Sequence, residues 1–159
     1  MTKNTDDVAL DRTDRRILRL LQSDADISAA AIGERIGASQ ATVWRRIQQM
    51  RESGLIPPQV VTLDRRKAGF NAMIFAQVKL SSHGRANLAE FADTIQNFPE
   101  VLEAYVMMGS TDFLLRIVTP DIEAYERFFF EKLSQLPGVQ EVTSSMALSE
   151  IKQTSVLPL

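Results

Sequence analysis

The sequence contains no cysteine and one histidine, and these two shortages exclude several classes of chemistry. Without cysteine there is no disulfide framework, no Cys-ligated zinc and no thiol nucleophile. A single histidine, His83, gives no basis for a His-based metal site or proton shuttle, and its polar neighbours favour a solvated loop. No metal or other cofactor is therefore expected.

Long apolar runs are also missing. No stretch approaches the roughly 20 apolar residues that a transmembrane helix requires. The first residues, MTKNTDDVAL, lack the basic and then apolar order of a signal peptide. These features predict a cytoplasmic protein with no membrane partner. With 45% hydrophobic and 24% charged residues, the 159-residue chain can form one sizeable core or two small ones.

Charge is distributed unevenly along the chain. Residues 1–67 carry 12 basic and 9 acidic groups, a net charge of +3, whereas residues 68–159 carry 6 and 11, a net charge of −5. A basic front half joined to an acidic back half suggests that only the front half binds a polyanion.

Three helices are predicted in the front half. Asp11, Ser28 and Ser39 are suitable N-caps, and Gly37 can end the second helix. Apolar residues recur at helical spacing at Ile17, Leu18, Leu21, Ile32, Ile36, Val43, Ile47 and Met50. Two short helices joined by a three-residue, glycine-containing turn and preceded by a packing helix form a helix-turn-helix pattern. The β-prone residues 55–63, interrupted by Pro57 and Pro58, predict a very small wing of two strands.

The back half alternates between strand and helix patterns. Strands are predicted around 70–80, at 101–108, 113–118 and 141–151, and helices at 85–97 and 121–135. This β-α-β-β-α-β order predicts a ferredoxin-like α+β sandwich with both helices on one face of the sheet. The predicted organisation is a lead-in at 1–9, a winged helix-turn-helix domain at 10–63, a linker at 64–69 and an α+β domain at 70–159.

Such a sheet leaves its other face uncovered. Met73, Phe75, Tyr105 and Met107 are expected on that face, and Phe128–Phe130 cannot all point to the same side of one helix. Apolar surface of this extent predicts self-association, with a well-wrapped monomer as the alternative.

The third helix turns a polar face away from its apolar stripe. With 100° per residue, Ile47 and Met50 fall within about 40° of Val43 and define the buried direction. The candidate DNA-binding residues are Ser39, Gln40, Ala41, Thr42, Trp44, Arg45, Arg46, Gln48 and Gln49. Gln can be bidentate to adenine, Arg to guanine, and Ala or Thr can touch a thymine methyl group. A merely solvated face is the alternative for Arg45 and Gln48.

Two residues at the edges of this face have open assignments. Trp44, the only tryptophan, either flanks the DNA groove or folds back as part of a satellite core. Arg46, beside the apolar stripe, suits a phosphate or a structural partner better than a base edge.

Four motifs together resemble the Lrp/AsnC, or feast/famine, family of transcriptional regulators. In chain order they are LDRTDRRILRLLQ, IGERIGASQATVWRRIQQMRESGLI, GSTDFLLRI and LPGVQEVTSSMALSEIK. The resemblance implies a winged helix-turn-helix that binds double-stranded DNA, joined to a βαββαβ effector-binding and oligomerisation domain at 70–159. It also implies dimers that pair through their sheets, commonly assembled into octamers, with an amino-acid effector bound between dimers.

The family's effector loop, Gly-x-x-Asp, corresponds to residues 109–112. Asp112 can pair with an α-ammonium group or fix the loop, and an ordinary hairpin turn is the alternative. The resemblance implies an effector pocket formed by Tyr105, Val106, Met107, Met108, Gly109, Thr111, Asp112 and Ser144. Thr111 and Ser144 replace an aromatic residue and a threonine of the family pattern, and Pro57-Pro58-Gln59 replaces a Gly-Tyr type sequence.

The pattern therefore favours a sequence-specific DNA-binding regulator that responds to an amino acid or a related metabolite. A nucleoid-organising DNA-binding protein without effector response is the alternative. An enzyme is disfavoured because the sequence lacks cysteine, has one loop histidine and contains no phosphate-cradling glycine loop.

Overall fold

The computed structural model describes residues 9–82, 84 and 88–159, which form two compact units. The first unit extends to Val61 and includes Lys152–Leu159, and the second comprises Thr62–Ile151. His83, and with it the expected solvated loop, lies outside the described residues.

The first unit contains three helices: α1 (Arg12–Ser23), α2 (Ala29–Ile36) and α3 (Gln40–Glu52). The predicted N-caps are confirmed, because the side chains of Asp11, Ser28 and Ser39 each accept a hydrogen bond from a main-chain N–H in the first turn of the helix that follows. Gly37 ends α2 with a φ of 72°, a conformation in which a side chain would be strained.

The apolar residues predicted at helical spacing on the three helices form the core of the first unit. Ile17, Leu18, Ile32, Val43, Ile47 and Met50 are buried. Leu21 and Ile36 pack against this cluster at its edge. The three helices therefore bury one face each and leave the outer face of α3 to solvent.

The predicted wing strands are wrong: after α3, residues 55–63 contain no strand. Pro57 and Pro58 have no N–H to donate to a ladder, so the segment cannot form a regular hairpin there. Val60, Val61 and Leu63 remain largely exposed.

The C-terminal residues 152–159, predicted as part of the sheet domain, lie in the first unit instead. Gln22 on α1 accepts a hydrogen bond from the Leu157 N–H (2.6 Å) and donates one to the Leu157 carbonyl (3.2 Å). The Arg19 guanidinium donates to the main-chain carbonyl of Leu159, whose side chain packs against the helical core. The tail thus adds apolar cover to α1.

The second unit has the predicted β-α-β-β-α-β order. Its elements are β1 (Ala72–Leu80), α4 (Leu88–Gln96), β2 (Val101–Val106), β3 (Phe113–Thr119), α5 (Ile122–Glu131), a 3₁₀ turn (Leu133–Gln135) and β4 (Val139–Met146). The strands are antiparallel in the order β2-β3-β1-β4, which confirms the ferredoxin-like topology. The last strand ends at Met146 and does not reach the predicted Ile151.

Helices α4 and α5 cover one face of this sheet. Phe91 and Ile95 from α4 and Tyr125 and Phe128 from α5 pack on the inward side chains of the strands. Of the three consecutive phenylalanines, Phe128 is buried and Phe130 is 65% exposed.

The opposite sheet face carries exposed apolar side chains, as predicted for Phe75, Tyr105 and Met107. Met73 was expected to be exposed as well but is buried. The chain that leaves β4 runs beside β1 at Met73, since the Ala147 N–H donates a hydrogen bond to the Met73 carbonyl (2.9 Å). None of the described helices is long and apolar enough to cross a membrane.

Candidate nucleic-acid interface and effector loop

Helix α3 begins at Gln40, three residues after the tight turn at Gly37. The Ser39 hydroxyl accepts a hydrogen bond from the Thr42 N–H (3.2 Å) and lies 2.8 Å from the Thr42 hydroxyl. This cap satisfies one of the donors that the start of a helix leaves unpaired. The first turn of α3 therefore has a defined conformation on the protein surface.

The predicted division of α3 into a buried and an outward face is confirmed. Val43, Ile47 and Met50 point into the core. Six of the candidate DNA-binding residues are exposed: Ser39, Gln40, Ala41, Trp44, Arg45 and Gln49. Thr42, Arg46 and Gln48 are half-buried at the edges. The outward surface combines amide, guanidinium and small apolar groups, which are the groups that read base edges in a major groove.

Trp44 lies on this face with 59% of its surface exposed. Its own helical unit therefore does not cover it as satellite core. An exposed indole beside Arg45 offers a flat apolar surface and one N–H donor.

Arg46 has a structural partner within the unit. One guanidinium nitrogen, Nη1, lies 2.7 Å from Asp11 Oδ2 and 2.8 Å from Asp14 Oδ1. These hydrogen bonds, first that to Asp14 and then that to Asp11, raise the pKa of Arg46. The pKa of Asp11 is lowered, first by the hydrogen bond that its carboxylate accepts from the Asp14 N–H and then by the hydrogen bond from Arg46. The guanidinium is thereby joined to the start of α1.

A second arginine contact was not predicted from the sequence. Arg16 on α1 donates to the carbonyls of Ile36 (3.1 Å) and Arg35 (3.2 Å), at the C-terminal end of α2. The last carbonyls of a helix lack intrahelical partners, so a nearby cation is favourable there. In the sequence, this contact could have been inferred from an arginine-rich helix followed by a short helix whose last carbonyls need partners.

The candidate effector loop follows β2. Gly109 has a φ of 144°, which is outside the range that residues with a side chain ordinarily adopt. Its backbone is also open, since a Cβ added there would meet nothing within 4 Å. A ligand can approach the main chain closely at such a residue.

Asp112 attaches this loop to the neighbouring strands through its main chain and its carboxylate. Its N–H donates to the Val78 carbonyl (2.9 Å), and its carbonyl accepts from the Met107 N–H (2.9 Å). Its carboxylate oxygen Oδ2 accepts from the Leu80 N–H (2.7 Å). The carboxylate therefore attaches the loop to the end of β1, which is the loop-fixing role.

The side chains before the loop are open in the single chain. Tyr105 is 51% exposed, Val106 71%, Met107 41%, and Met108 fully exposed. In the pairing of β2 with β3, Tyr105 opposes Leu114 and Val106 opposes Phe113, so successive residues lie on opposite sheet faces. Thr111 is half-buried.

Tyr105 belongs to a polar group on the outer sheet face. Its hydroxyl donates to Glu103 Oε2 (2.9 Å), and Arg116 Nη2 lies 2.5 Å from Glu103 Oε1. Burial alone would raise the pKa of Glu103, but these two hydrogen bonds and the charge of Arg116 outweigh it and lower the pKa. The hydrogen bond from the Tyr105 hydroxyl to Glu103 raises the pKa of Tyr105.

Ser144 lies on the helix-facing side of the sheet. It is opposite Ala76 of β1, and its hydroxyl is 2.5 Å from the hydroxyl of Tyr125 on α5. Burial raises the pKa of Tyr125, and the Ser144 contact partly offsets this. The Ser144 hydroxyl is therefore engaged with α5 in the single chain.

Two family models match this chain. The model described as Lrp/AsnC ligand binding domain matches residues 73–157, and the model described as winged helix-turn-helix DNA-binding matches residues 10–56. The first covers the sheet, the candidate effector loop and Ser144. The second covers all three helices of the first unit.

Individual relatives extend the match to almost the full length. The DNA-binding transcriptional activator DecR of Escherichia coli (strain K12) is 32% identical over 150 residues, covering 94% of this chain and 99% of that protein. The crystal structure of an AsnC family transcriptional regulator from Agrobacterium tumefaciens is 39% identical, with a TM-score of 0.87, and covers 94% of this chain and 97% of its own. A transcriptional regulator from Neisseria meningitidis, solved as a complex with L-Met, is 31% identical, with a TM-score of 0.87 and coverage of 94% and 96%.

Proposed function

This chain belongs to the Lrp/AsnC family of DNA-binding transcriptional regulators, and we propose that it binds a specific operator through the outward face of α3. The observation that carries this proposal is the confirmed exposure of that face opposite the buried Val43, Ile47 and Met50. The helix inserts into the major groove with its N-terminal half toward the bases.

The roles on α3 follow from the chemistry of each side chain. Arg45 is suited to a guanine and Gln48 or Gln49 to an adenine, because each can form two hydrogen bonds with that base. Ala41 and Thr42 are small enough to approach a thymine methyl group. Ser39, Gln40 and Trp44 lie at the margins of this surface and are suited to the phosphate backbone.

The effector is an amino acid. The matched ligand-binding model and the relative solved with L-Met support this chemical class. The loop 109–112 offers an open main chain at Gly109, and Asp112 holds that loop against β1. Tyr105, Val106, Met107, Met108 and Thr111 line the pocket beside this loop. Ser144 lies on β4, at the other edge of the sheet, so a neighbouring chain contributes it to the pocket.

The protein acts as an even-numbered homo-oligomer, with dimers assembled into octamers. The exposed apolar residues of the outer sheet face, such as Phe75 and Tyr105, support burial against a second copy. The side chains of Tyr105 to Met108 are too exposed to enclose a ligand alone, so a neighbouring chain closes the pocket. DNA binding places the protein in the cytoplasm.

Two measurements test this function. The first is DNA binding by fluorescence anisotropy, with promoter fragments and scrambled DNA at two salt concentrations. A protein that binds neither fragment at low salt contradicts the proposal. Equal affinity for both, with compaction of long DNA, indicates the nucleoid-organising alternative.

The second measurement is thermal melting of the purified protein against each standard amino acid. A ligand that binds only the folded state stabilises it by RT ln(1 + [L]/Kd). A shift for one side-chain class identifies the effector, and the same amino acid should change operator affinity. No shift across the set contradicts an amino-acid effector but leaves the DNA-binding assignment intact.

A further inference from the structure

The start of α1 and the side of α3 share one hydrogen-bond network. Asp11 Oδ1 accepts from the Asp14 N–H (2.8 Å), and Asp14 Oδ2 accepts from the Asp11 N–H (3.1 Å), which together form a capping box. The two remaining carboxylate oxygens, Asp11 Oδ2 and Asp14 Oδ1, both accept from Arg46 Nη1. All four carboxylate oxygens thus have a partner in this network.

The network is only partly exposed to solvent. The side-chain exposure is 26% for Arg46, 16% for Asp14 and 50% for Asp11. One nitrogen of the guanidinium, Nη1, contacts both carboxylates, which directs the Arg46 side chain toward the start of α1. Its position also fixes α3, since Arg46 lies one turn before the buried Met50 and beside the buried Ile47.

Arg16 holds the other helix of the motif. It runs from α1 to the last carbonyls of α2, at Arg35 and Ile36, immediately before the Gly37 turn. Helix α1 therefore contacts α2 on one side of the turn through Arg16, and α3 on the other side through Arg46. These hydrogen bonds are directional, so they add constraints on α3 to those of the apolar core.

We infer that Arg46 is a positioning residue, which sets the orientation of α3 in the operator through the Asp11–Asp14 capping box rather than by contacting a phosphate. The inference rests on the proposed function and adds to it a determinant of specificity outside the base-reading surface. Base readout requires two hydrogen bonds in a fixed geometry, whereas non-specific binding needs only positive charge near phosphates. A change in the angle of α3 therefore reduces specific binding more than non-specific binding.

A phosphate contact and a positioning role predict opposite results for the carboxylates. If Arg46 neutralised a phosphate, removing the negative charge of Asp14 would strengthen DNA binding. If Arg46 positions α3, removing that charge weakens operator binding, although the protein becomes less negative. The salt dependence separates the same two roles, because each lost phosphate contact lowers the slope of log K against log salt by about 0.9.

The test compares Arg46→Gln and Asp14→Asn with the unaltered full chain. Affinities for an operator fragment and for scrambled DNA are measured at several salt concentrations, with circular dichroism to verify the folded state. Arg127→Gln, an exposed arginine on α5, is the control that removes one positive charge in the other unit. We expect both α1–α3 variants to lose about tenfold or more in operator affinity, with scrambled-DNA affinity and salt slope nearly unchanged.

Three results would overturn the inference. One is a lower salt slope in Arg46→Gln with equal losses on both DNAs, which indicates a phosphate contact. Another is tighter operator binding by Asp14→Asn. The third is an unchanged ratio of specific to non-specific affinity in folded variants that only melt at lower temperature, which indicates a purely structural role. If Arg46→Gln does not fold, the results for Asp14→Asn alone test the inference. If the unaltered chain does not bind DNA, the proposed function itself is contradicted.

Discussion

The carboxylate of Asp112 accepts a hydrogen bond from the main-chain N–H of Leu80, with 2.7 Å between the two atoms. Leu80 is fully buried at the end of β1, so its N–H has no access to bulk water. The loop that carries Gly109 is thus attached to the sheet by a side chain as well as by main-chain hydrogen bonds. This contact leads to different predictions for a variant that removes only the charge of Asp112 and for one that also removes the hydrogen-bond acceptor.

Asp112→Ala should destabilise the protein by about 1–3 kcal/mol, because the Leu80 N–H is left buried without an acceptor. Asp112→Asn keeps a carbonyl oxygen of similar reach and should retain most of the stability. If Asp112 acts by fixing the loop, the amino-acid response also survives in Asp112→Asn and is lost in Asp112→Ala. Urea unfolding and ligand-dependent melting measure both quantities.

A folded Asp112→Asn protein that loses its amino-acid response would contradict the loop-fixing role. That result would mean that the response requires the charge of Asp112, as pairing with the α-ammonium group of the effector would.

Arg45→Ala should weaken operator binding and lower its salt dependence, because it removes a positive charge that has no carboxylate partner among the described residues, unlike that of Arg46. Arg45 is exposed on the outward face of α3, and a bidentate contact with a base is worth about 1–3 kcal/mol of discrimination. The measurement is operator affinity at two or more salt concentrations. Arg127→Ala removes the same charge from α5 and should have little effect. Unchanged affinity of Arg45→Ala at two salt concentrations would remove Arg45 from the interface.

The elements that the sequence predicted correctly depend on short-range features. Asp11, Ser28 and Ser39 cap helices through N–H groups within three residues of themselves, so their roles are visible in the local sequence. The β-α-β-β-α-β order follows from changes in periodicity between 2 and 3.6 residues. The outward face of α3 follows from the same periodicity.

The contacts that could not be predicted join residues far apart in the chain. Gln22 and Leu157 are separated by 135 positions, and nothing near either residue indicates the other. Arg46 and Asp11 are 35 positions apart, so its partner was left open between a phosphate and a protein group. The wing strands were predicted from β propensity, which the double proline overrides.

The candidate effector site was predicted less completely than the α3 surface. Its loop and its glycine conformation follow from local sequence. Ser144 was assigned by resemblance alone, and its hydrogen bond to Tyr125 depends on how α5 packs on the sheet. In the oligomer that we propose, enclosure of the pocket depends on neighbouring chains, which a single sequence does not specify.

Stability should fall in acid partly through Glu103. Its pKa in the folded protein lies below the ordinary value of 4.5, so Glu103 stabilises the fold above that value. This contribution decreases as the pH falls from about 5 and is gone once the pH is below the lowered folded-state pKa. Glu103→Gln removes the titration.

The measurement for Glu103 is urea unfolding of both proteins at pH 7, 5, 4 and 3. The difference in stability between wild type and Glu103→Gln should shrink toward low pH. Asp11 also has a lowered pKa and titrates in both proteins, so only the difference reports Glu103. Parallel curves across this range would show that the Arg116 and Tyr105 contacts do not lower its pKa in solution.

Gly138 should be less tolerant of alanine than Gly69, although both have positive φ angles, 83° and 91°. Each substitution incurs the cost of a left-handed residue, about 1–2 kcal/mol. At Gly69 an added Cβ meets nothing within 4 Å, whereas at Gly138 it would lie 2.4 Å from the Cα of Gly84. That obstacle is main chain and cannot rotate away, so Gly138→Ala should lose roughly 1–3 kcal/mol more. Both positions lie in the second unit, so thermal and urea unfolding compare them directly. Equal losses would mean that the chain before α4 can move away from the turn into β4, since only close backbone contact distinguishes these two glycines.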